Sequence, residues 1–170
     1  KDWAKNQNEA RKAKNELKLA MFGAGCFWGV EESFRKLPGV VNTEVGYAGG
    51  DKNVKTYEEV CQGKSGHAEV VRITFDPKQI TYNKLLEIFW EIHDPTHMNR
   101  QGPDVGYQYR SVIFYFDNNQ KRQAQESLRK EQNKHSRAIA TVIEEASTYI
   151  NAEDYHQNYL MKRGQASCNI

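Results

Sequence analysis

The stretch GAGCFWGVE, residues 23–31, places a cysteine between two glycines and two large aromatic rings. A cysteine that only fills a core does not need this setting. Cys26 follows an alternating apolar run and precedes a helical pattern, so we expect it at a strand-to-helix junction. Backbone N–H groups and the positive end of a helix stabilise a thiolate, the reactive form of a thiol. The stretch therefore predicts a nucleophilic cysteine beside an apolar surface.

The two rings after this cysteine differ in their fit to the predicted helix. Phe27 lies in phase with Val30 and Phe34 at helical spacing, so core packing alone could explain it. Trp28 lies off that apolar stripe. It is therefore the better candidate for the wall of a pocket that receives an apolar, methyl-bearing substrate.

A carboxyl group is predicted on the apolar face of a strand. The segment HAEVVRITFDP, residues 67–77, alternates strongly, and Glu69 is in phase with Val71 and Ile73. Burial disfavours the anion, so this carboxyl is expected to stay protonated near neutral pH and to be able to donate a proton. The alternative, a carboxylate at a strand end that reaches solvent, stays open at this stage.

Composition excludes several classes of protein. The 170 residues are enough for one domain with a real core. The formal net charge is +2 with basic and acidic residues interleaved, so no nucleic-acid footprint is expected. No stretch approaches the ~20 apolar residues of a membrane span, so no membrane partner is expected.

The cysteines and histidines point away from disulfides and metals. Cys26, Cys61 and Cys168 form an odd, sparse set without a CxxC pair, which argues against a structural disulfide framework or a zinc knuckle. The histidines show no metal-ligand spacing, because Pro95 breaks the helix that would align His93 with His97. We therefore expect no metal, and a reducing compartment, the cytoplasm.

The element pattern predicts an α+β fold. Strands are predicted at 17–23, 40–50, 67–77 and 109–116, with helices at 27–37 and 80–95 and a short helical piece at TYEEVC. The order β-α-β-β-α-β is typical of a two-layer ferredoxin-like plait. The C-terminal additions are a helix near 118–133, a strand near 138–146 and a short helix near 153–162. The predicted organisation is a polar arm at 1–16, a single catalytic domain at 17–162 and a mobile tail at 163–170.

Segments along the whole domain, from about residue 19 to 160, closely resemble one known family. They are GCFWGVEESFRKLPGV, GYAGG, TYEEVC, GHAEVVRITFDP, IFWEIHDPT, RQGPDVGYQYRS and EDYHQNYL, in that order. These segments resemble the peptide methionine-S-sulfoxide reductases of the A class, which repair oxidised methionine. The resemblance implies the same two-layer α/β plait as the element order.

The resemblance also implies a role for each matching residue. Cys26 would attack the sulfoxide sulfur, and Glu69 would protonate the sulfoxide oxygen. The implied substrate-binding residues are Phe27 and Trp28 for the S-methyl group, Tyr57 and Tyr109 for the oxygen, and Asp104 in the same polar network. The implied substrate is methionine sulfoxide, free or in proteins. The implied reductant is thioredoxin, with no cofactor, and a monomer is expected.

Recycling of a sulfenic acid at Cys26 needs a second thiol, and two are available. Family members often carry it in a Gly-Tyr-Cys stretch before a glycine-rich tail, whereas this chain has RGQASC followed by two residues. Small residues around Cys168 allow the mobility that a resolving thiol needs, which favours it. Cys61 is the competing resolver, but its predicted helical setting gives it less reach.

Two alternatives from other classes remain at this stage. A papain-like cysteine hydrolase would pair Cys26 with His93 or His156 as a base, but it would leave Glu69 and the aromatic pair unexplained. A non-enzymatic binding module is the second alternative, because ferredoxin-like folds host many of them.

Overall fold

The computed structural model describes residues 16–61 and 65–163, without the side chains of Tyr57 and Cys61. Nearly all of the predicted arm at 1–16 and of the predicted tail at 163–170, including Cys168, therefore lies outside the described residues. Among the described residues, no helix has the length and apolar character needed to cross a membrane.

The elements follow the predicted order closely in the first two thirds of the chain. They are β1 (Lys18–Ala24), α1 (Phe27–Arg35), β2 (Val40–Ala48), α2 (Tyr57–Cys61), β3 (Ala68–Phe75) and α3 (Tyr82–Glu91). There follow β4 (Arg100–Gln101), β5 (Asp104–Val105), β6 (Ser111–Tyr115) and α4 (Asn118–Gln132). The last elements are β7 (Val142–Glu145), β8 (Tyr149–Asn151) and α5 (Tyr159–Lys162), and single 3₁₀ turns form at Tyr107–Tyr109 and Asp154–His156.

One sheet carries the fold. Within the described residues six strands pair in the order β7-β6-β1-β3-β2-β8, and β4 pairs with β5 in a separate hairpin. All neighbours in the large sheet are antiparallel except β6 and β7. The α+β class predicted from the element order is confirmed, with a mostly antiparallel sheet and helices packed on it.

The main core lies between one face of this sheet and the helices. Phe22 of β1 stacks on Phe34 of α1 and on Phe89 of α3, with ring centroids 5.5 and 5.2 Å apart. All three rings are fully buried. Because burying such a ring stabilises a fold by roughly 1.5–3 kcal/mol, this cluster fixes α1, and hence its first residue, against β1.

Helix starts are well determined by local sequence. Thr81 caps the helix predicted over 80–95, because its hydroxyl accepts a hydrogen bond from the backbone N–H of Lys84 at 3.1 Å. The helix itself is shorter than predicted and ends at Glu91. The helix predicted over 27–37 likewise ends at Arg35, before Pro38 and Gly39.

The C-terminal third differs most from the prediction. The strand expected at 138–146 covers only Val142–Glu145, and β8, which was not predicted, pairs with β2. The helix expected near 153–162 is interrupted at Gln157 and Asn158. Gln157 has an extended backbone with ψ 125°, and Asn158 takes a left-handed conformation, so neither continues a helix. The Gln157 side chain donates to and accepts from the backbone of Val45 at 2.8 Å.

Candidate active site

Cys26 occupies the turn that joins β1 to α1, as predicted. It is the residue immediately before the first helical residue, and its carbonyl accepts the first intrahelical bond from Val30. Gly25 has φ +99°, and a Cβ at this position would lie 2.8 Å from the Cβ of Gln101. Only glycine therefore permits this turn. The half-buried thiol is held at the positive end of a helix, where a thiolate is stabilised.

Glu69 reaches the same helix end from the neighbouring strand. It lies on β3 opposite Tyr47, on the helix-covered face of the sheet, and its side chain is 7% exposed. One carboxyl oxygen, Oε1, accepts from the backbone N–H of Phe27 at 3.5 Å, and the other, Oε2, accepts from the Gln108 amide at 3.2 Å. The thiol of Cys26 and this carboxyl therefore share one helix N-terminus.

The surroundings of Glu69 keep it largely uncharged. Burial, with a smaller contribution from the negative charge of Asp104, raises the pKa of Glu69 to about 7. Hydrogen bonds from the Phe27 N–H, the Gln108 amide and the Tyr109 hydroxyl oppose this rise. The expected burial of this carboxyl is confirmed, and near neutral pH a large fraction of it carries a proton that it can donate.

The two rings after Cys26 have different partners. Phe27 is buried and packs against Tyr47 and His156, with ring centroids 5.6 and 5.3 Å apart. Trp28 is half-buried; its indole N–H donates to Nδ1 of His156 at 3.0 Å, and its ring stacks on Tyr159 at 3.9 Å. The Trp28 side chain, which lies off the apolar stripe of the helix, is thus held in place by the C-terminal segment.

Cys26 lines a cleft of about 290 Å³. The cleft is bounded by Gly29, Val30 and Ser33 of α1 and by the hairpin residues 101–104. Asp104 lines this cleft and lies close enough to raise the pKa of Glu69 through its charge. Burial, and then the charge of Glu69, raise the pKa of Tyr109, which places its hydroxyl in the same polar group.

Comparisons with known proteins decide what this arrangement is. A family model described as peptide methionine sulfoxide reductase matches residues 18–170. The chain belongs to this family. A relative from Geobacter sulfurreducens, peptide methionine sulfoxide reductase MsrA, is 58% identical over 154 residues, which are 89% of this chain and 95% of the relative. The activity of the chain is therefore thiol-dependent reduction of methionine (S)-sulfoxide.

Solved structures of the same family share the fold. Mxr1 from Saccharomyces cerevisiae in reduced form superposes with a TM-score of 0.84 at 40% identity, over 89% of this chain and 88% of that one. Mxr1 has also been solved in complex with Trx2, with a TM-score of 0.62 at 31% identity over 85% and 86% of the two chains.

Family membership rules out the hydrolase and binding-module alternatives. The hydrogen bonds of His93 and His156, the two candidate bases of a hydrolase, support the same conclusion. His93 is bonded through both ring nitrogens, to the Phe89 carbonyl and the Ser111 hydroxyl, and burial lowers its pKa to about 4. Nδ1 of His156 accepts the Trp28 indole hydrogen, so its neutral ring carries its own proton on Nε2. With these hydrogen bonds made, neither ring has an unprotonated nitrogen left to take the proton of Cys26. Within the described residues, no group of three or more His, Cys, Asp or Glu side chains could hold a metal ion.

The structure brings together most, but not all, of the predicted site. Cys26, Glu69, Phe27, Trp28, Asp104 and Tyr109 converge at the start of α1. The side chain of Tyr57 lies outside the described part of the structure, as does Cys168.

Sequence reasoning missed four side chains that support this reductase site: Tyr47, Gln108, His156 and Tyr159. No local pattern marks Gln108, which lies in a 3₁₀ turn. The run EDYHQNYL carries three rings close together, and only that clustering could have suggested an aromatic partner for Trp28.

Removing the Trp28 ring should affect substrate selection more than thiol reactivity. We expect Trp28→Ala to raise KM for methionine sulfoxide and to weaken discrimination against bulkier alkyl sulfoxides, because it removes the apolar contact with the methyl group that the family resemblance implies. The alkylation rate of Cys26 by iodoacetamide should change much less. Trp90→Phe, which alters an indole on α3 bonded to Ser127 instead, serves as the control. An equal loss of alkylation in Trp28→Ala would show that the ring supports the thiol.

Proposed function

We propose that this reductase works through direct attack of Cys26 on the sulfoxide sulfur, with Glu69 as the general acid. The observation that carries the proposal is that the Cys26 thiol and the Glu69 carboxyl flank the same N-terminal turn of α1. A sulfoxide sulfur is a poor electrophile until its oxygen gains a proton. A thiolate and a neutral acid must therefore face the same S–O bond, and this helix end provides both.

The net step balances without a cofactor. The substrate sulfur loses its oxygen and is reduced by two electrons, while the Cys26 sulfur gains an oxygen and is oxidised by two. Attack forms a bond between the Cys26 sulfur and the substrate sulfur while Glu69 donates a proton to the oxygen. This S–S bond and the substrate S–O bond then break as the oxygen passes to the Cys26 sulfur, and the products are methionine and a sulfenic acid on Cys26. The proton that Glu69 gives up is replaced from solvent.

We place the substrate between the aromatic wall and the polar group. Phe27 and Trp28 would receive the S-methyl group, because they follow Cys26 directly in the chain and their rings pack against His156 and Tyr159. Tyr109 and Asp104 would bond the oxygen side of the substrate, which their position around Glu69 supports. Tyr57 is assigned to the same oxygen on the family resemblance alone.

We propose Cys168 as the resolving thiol, with Cys61 as the competitor. Attack of Cys168 on the sulfenic acid would release water and form a Cys26–Cys168 disulfide. Cys168 lies five residues beyond Arg163, the last described residue. Because five fully extended residues span at most about 17 Å, this is the longest reach of Cys168 from Arg163. Thioredoxin would then reduce the disulfide, a proposal supported by the solved complex of the relative Mxr1 with Trx2.

Loss of the resolving thiol should stop the cycle after one round. We expect Cys168→Ser to release about one methionine per enzyme and then to stall with thioredoxin, while a small dithiol restores turnover. Single-turnover and steady-state assays run side by side measure this. Cys61→Ser is the matched control and should turn over normally. A Cys26–Cys61 disulfide in peptide maps of the oxidised wild type would contradict the assignment.

The direct test of the activity is incubation with methionine (S)-sulfoxide and dithiothreitol, followed by chromatographic measurement of methionine. The (R)-sulfoxide provides the stereochemical control. No methionine above the rate with dithiothreitol alone would contradict the function.

We further propose that the catalytic domain covers residues 17–162 and is a ferredoxin-like plait that works as a monomer. Support for the plait comes from the order β6-β1-β3-β2, with α1 and α3 contributing to a single core against the sheet. A cytoplasmic location is proposed because a reaction that consumes thiols needs a reducing compartment.

A further inference from the structure

The two oxygens of the Glu69 carboxyl accept from different N–H donors, and the Tyr109 hydroxyl and the Asp104 carboxyl also face this group. Oε2 accepts from Nε2 of Gln108 at 3.2 Å, and Oε1 accepts from the backbone N–H of Phe27 at 3.5 Å. The bond at Oε2 is therefore the shorter of the two. In a neutral carboxyl group the protonated oxygen is the weaker acceptor, so the proton prefers the oxygen whose incoming hydrogen bond is weaker. That oxygen is Oε1, which faces the first residue of α1.

The Gln108 amide is held in a defined position by its neighbours. Gln108 lies in the middle of the 3₁₀ turn Tyr107–Tyr109, which the buried side chain of Arg110 anchors. Nη1 of Arg110 donates to the Tyr107 carbonyl at 3.0 Å, and Nη2 donates to the Gly49 carbonyl at 3.2 Å. The guanidinium also lies over the Tyr107 ring. The turn is thus tied to the end of β2 and aims the amide at Glu69.

We infer that Gln108 is a positioning residue that keeps Oε2 of Glu69 unprotonated and directs the acidic proton to Oε1, beside Cys26. The proton then lies on the oxygen next to the N-terminus of α1, where the sulfoxide oxygen must be protonated. This inference rests on the proposed role of Glu69 as the general acid.

The inference predicts two effects of a single substitution, Gln108→Met: a slower chemical step and a higher pKa of Glu69. Gln108→Met keeps the length of the side chain but removes the amide donor. The proton is then no longer directed to Oε1, so the rate of the chemical step should fall about 10–100-fold, part of the full general-acid effect. Because Glu69 must be protonated to act as the acid, the rate should decline as the pH rises through its pKa. The hydrogen bond from the Gln108 amide favours the charged form of Glu69 and lowers its pKa, so its loss should move this decline to higher pH.

The experiment measures single-turnover methionine formation against pH for the wild type and for Gln108→Met. A matched control is Gln79→Met, because the Gln79 amide donates to the Asp76 carboxylate at 3.0 Å on the exposed surface, far along the chain from the site. We expect the control to match the wild type. In Gln108→Met we expect a lower plateau, a decline shifted to higher pH, and an unchanged alkylation rate of Cys26.

Other outcomes separate the inference from the proposed function. A lower plateau with an unshifted decline, or an equal loss of Cys26 alkylation, would mean that Gln108 only supports the structure of the turn. A profile identical to the wild type would overturn its role altogether. Glu69→Gln run in parallel tests the acid itself: if it is impaired while Gln108→Met is normal, only the inference fails. Gln108→Asn, whose amide is one carbon too short, replaces Gln108→Met if the latter does not fold.

Discussion

Replacing Cys26 with serine is expected to abolish sulfoxide reduction while leaving the fold intact. A hydroxyl at this position cannot take up the oxygen and form a sulfenic acid, so the reaction loses its acceptor. The fold should persist because Cys26 precedes the first residue of α1, a position where serine is among the preferred residues. The measurement is methionine release with dithiothreitol, beside circular dichroism and Tm.

The matched variant for this substitution is Cys61→Ser, which makes the same chemical change in α2 and should retain reduction with dithiothreitol. Appreciable turnover by Cys26→Ser would contradict the assignment of the nucleophile. Loss of turnover in both variants would show that the assay reports thiol content, and not the chemistry at the start of α1.

Replacing Glu69 with glutamine is expected to lower the rate of the chemical step by ~10²–10⁴-fold, the usual size of a general-acid effect. The acid must be protonated, and the pKa of Glu69 is raised to about 7. The wild-type rate should therefore decline as the pH rises through about 7, and Glu69→Gln should lack this decline. Single-turnover rates between pH 5.5 and about 9 measure both effects.

The same substitution should raise stability above neutral pH. A carboxyl whose pKa is higher in the folded chain than in the unfolded chain stabilises the fold most at acidic pH, and this contribution is lost as the pH rises towards 7. Glu69→Gln removes that loss, so its Tm should exceed that of the wild type at pH 8 and approach it at pH 4. A variant with lower activity and lower Tm at every pH would show a structural defect instead.

A second buried carboxyl provides the control for the rate measurement. Glu31 on α1 is 1% exposed, burial raises its pKa, and its Oε1 accepts from the backbone N–H of Asn158 at 2.6 Å. Glu31→Gln keeps an acceptor for that bond and does not touch the group around Cys26. It should retain the alkaline decline in rate. If the decline disappears in Glu31→Gln and persists in Glu69→Gln, the acid has been assigned to the wrong carboxyl.

Much of the site was predictable because its main residues follow local rules. The position of Cys26 follows from the change of period between β1 and α1, and the burial of Glu69 follows from the two-residue alternation of β3. The start of α3 follows from a single capping residue, Thr81. Each of these features depends on neighbours only a few positions away, and the sequence by itself determined them.

The elements that escaped prediction lack such local signals. β8 is only three residues long and forms because β2 offers an unpaired edge about a hundred positions earlier in the chain. β4 and β5 are two residues each, too short for any alternation to show. Their register is decided by the partner strand, which the local sequence does not specify.

The support of the site is likewise a product of tertiary structure. The bond between Trp28 and His156 joins residues 128 positions apart, and the bond between Gln108 and Glu69 joins residues 39 positions apart. Only the folded sheet brings these pairs within reach. Local sequence selected the proposed nucleophile and the proposed acid. The packing of the C-terminal segment and of the 3₁₀ turn decided how the indole and the carboxyl are oriented. Orientation depends on directional hydrogen bonds between distant segments, and no periodicity in the chain encodes those.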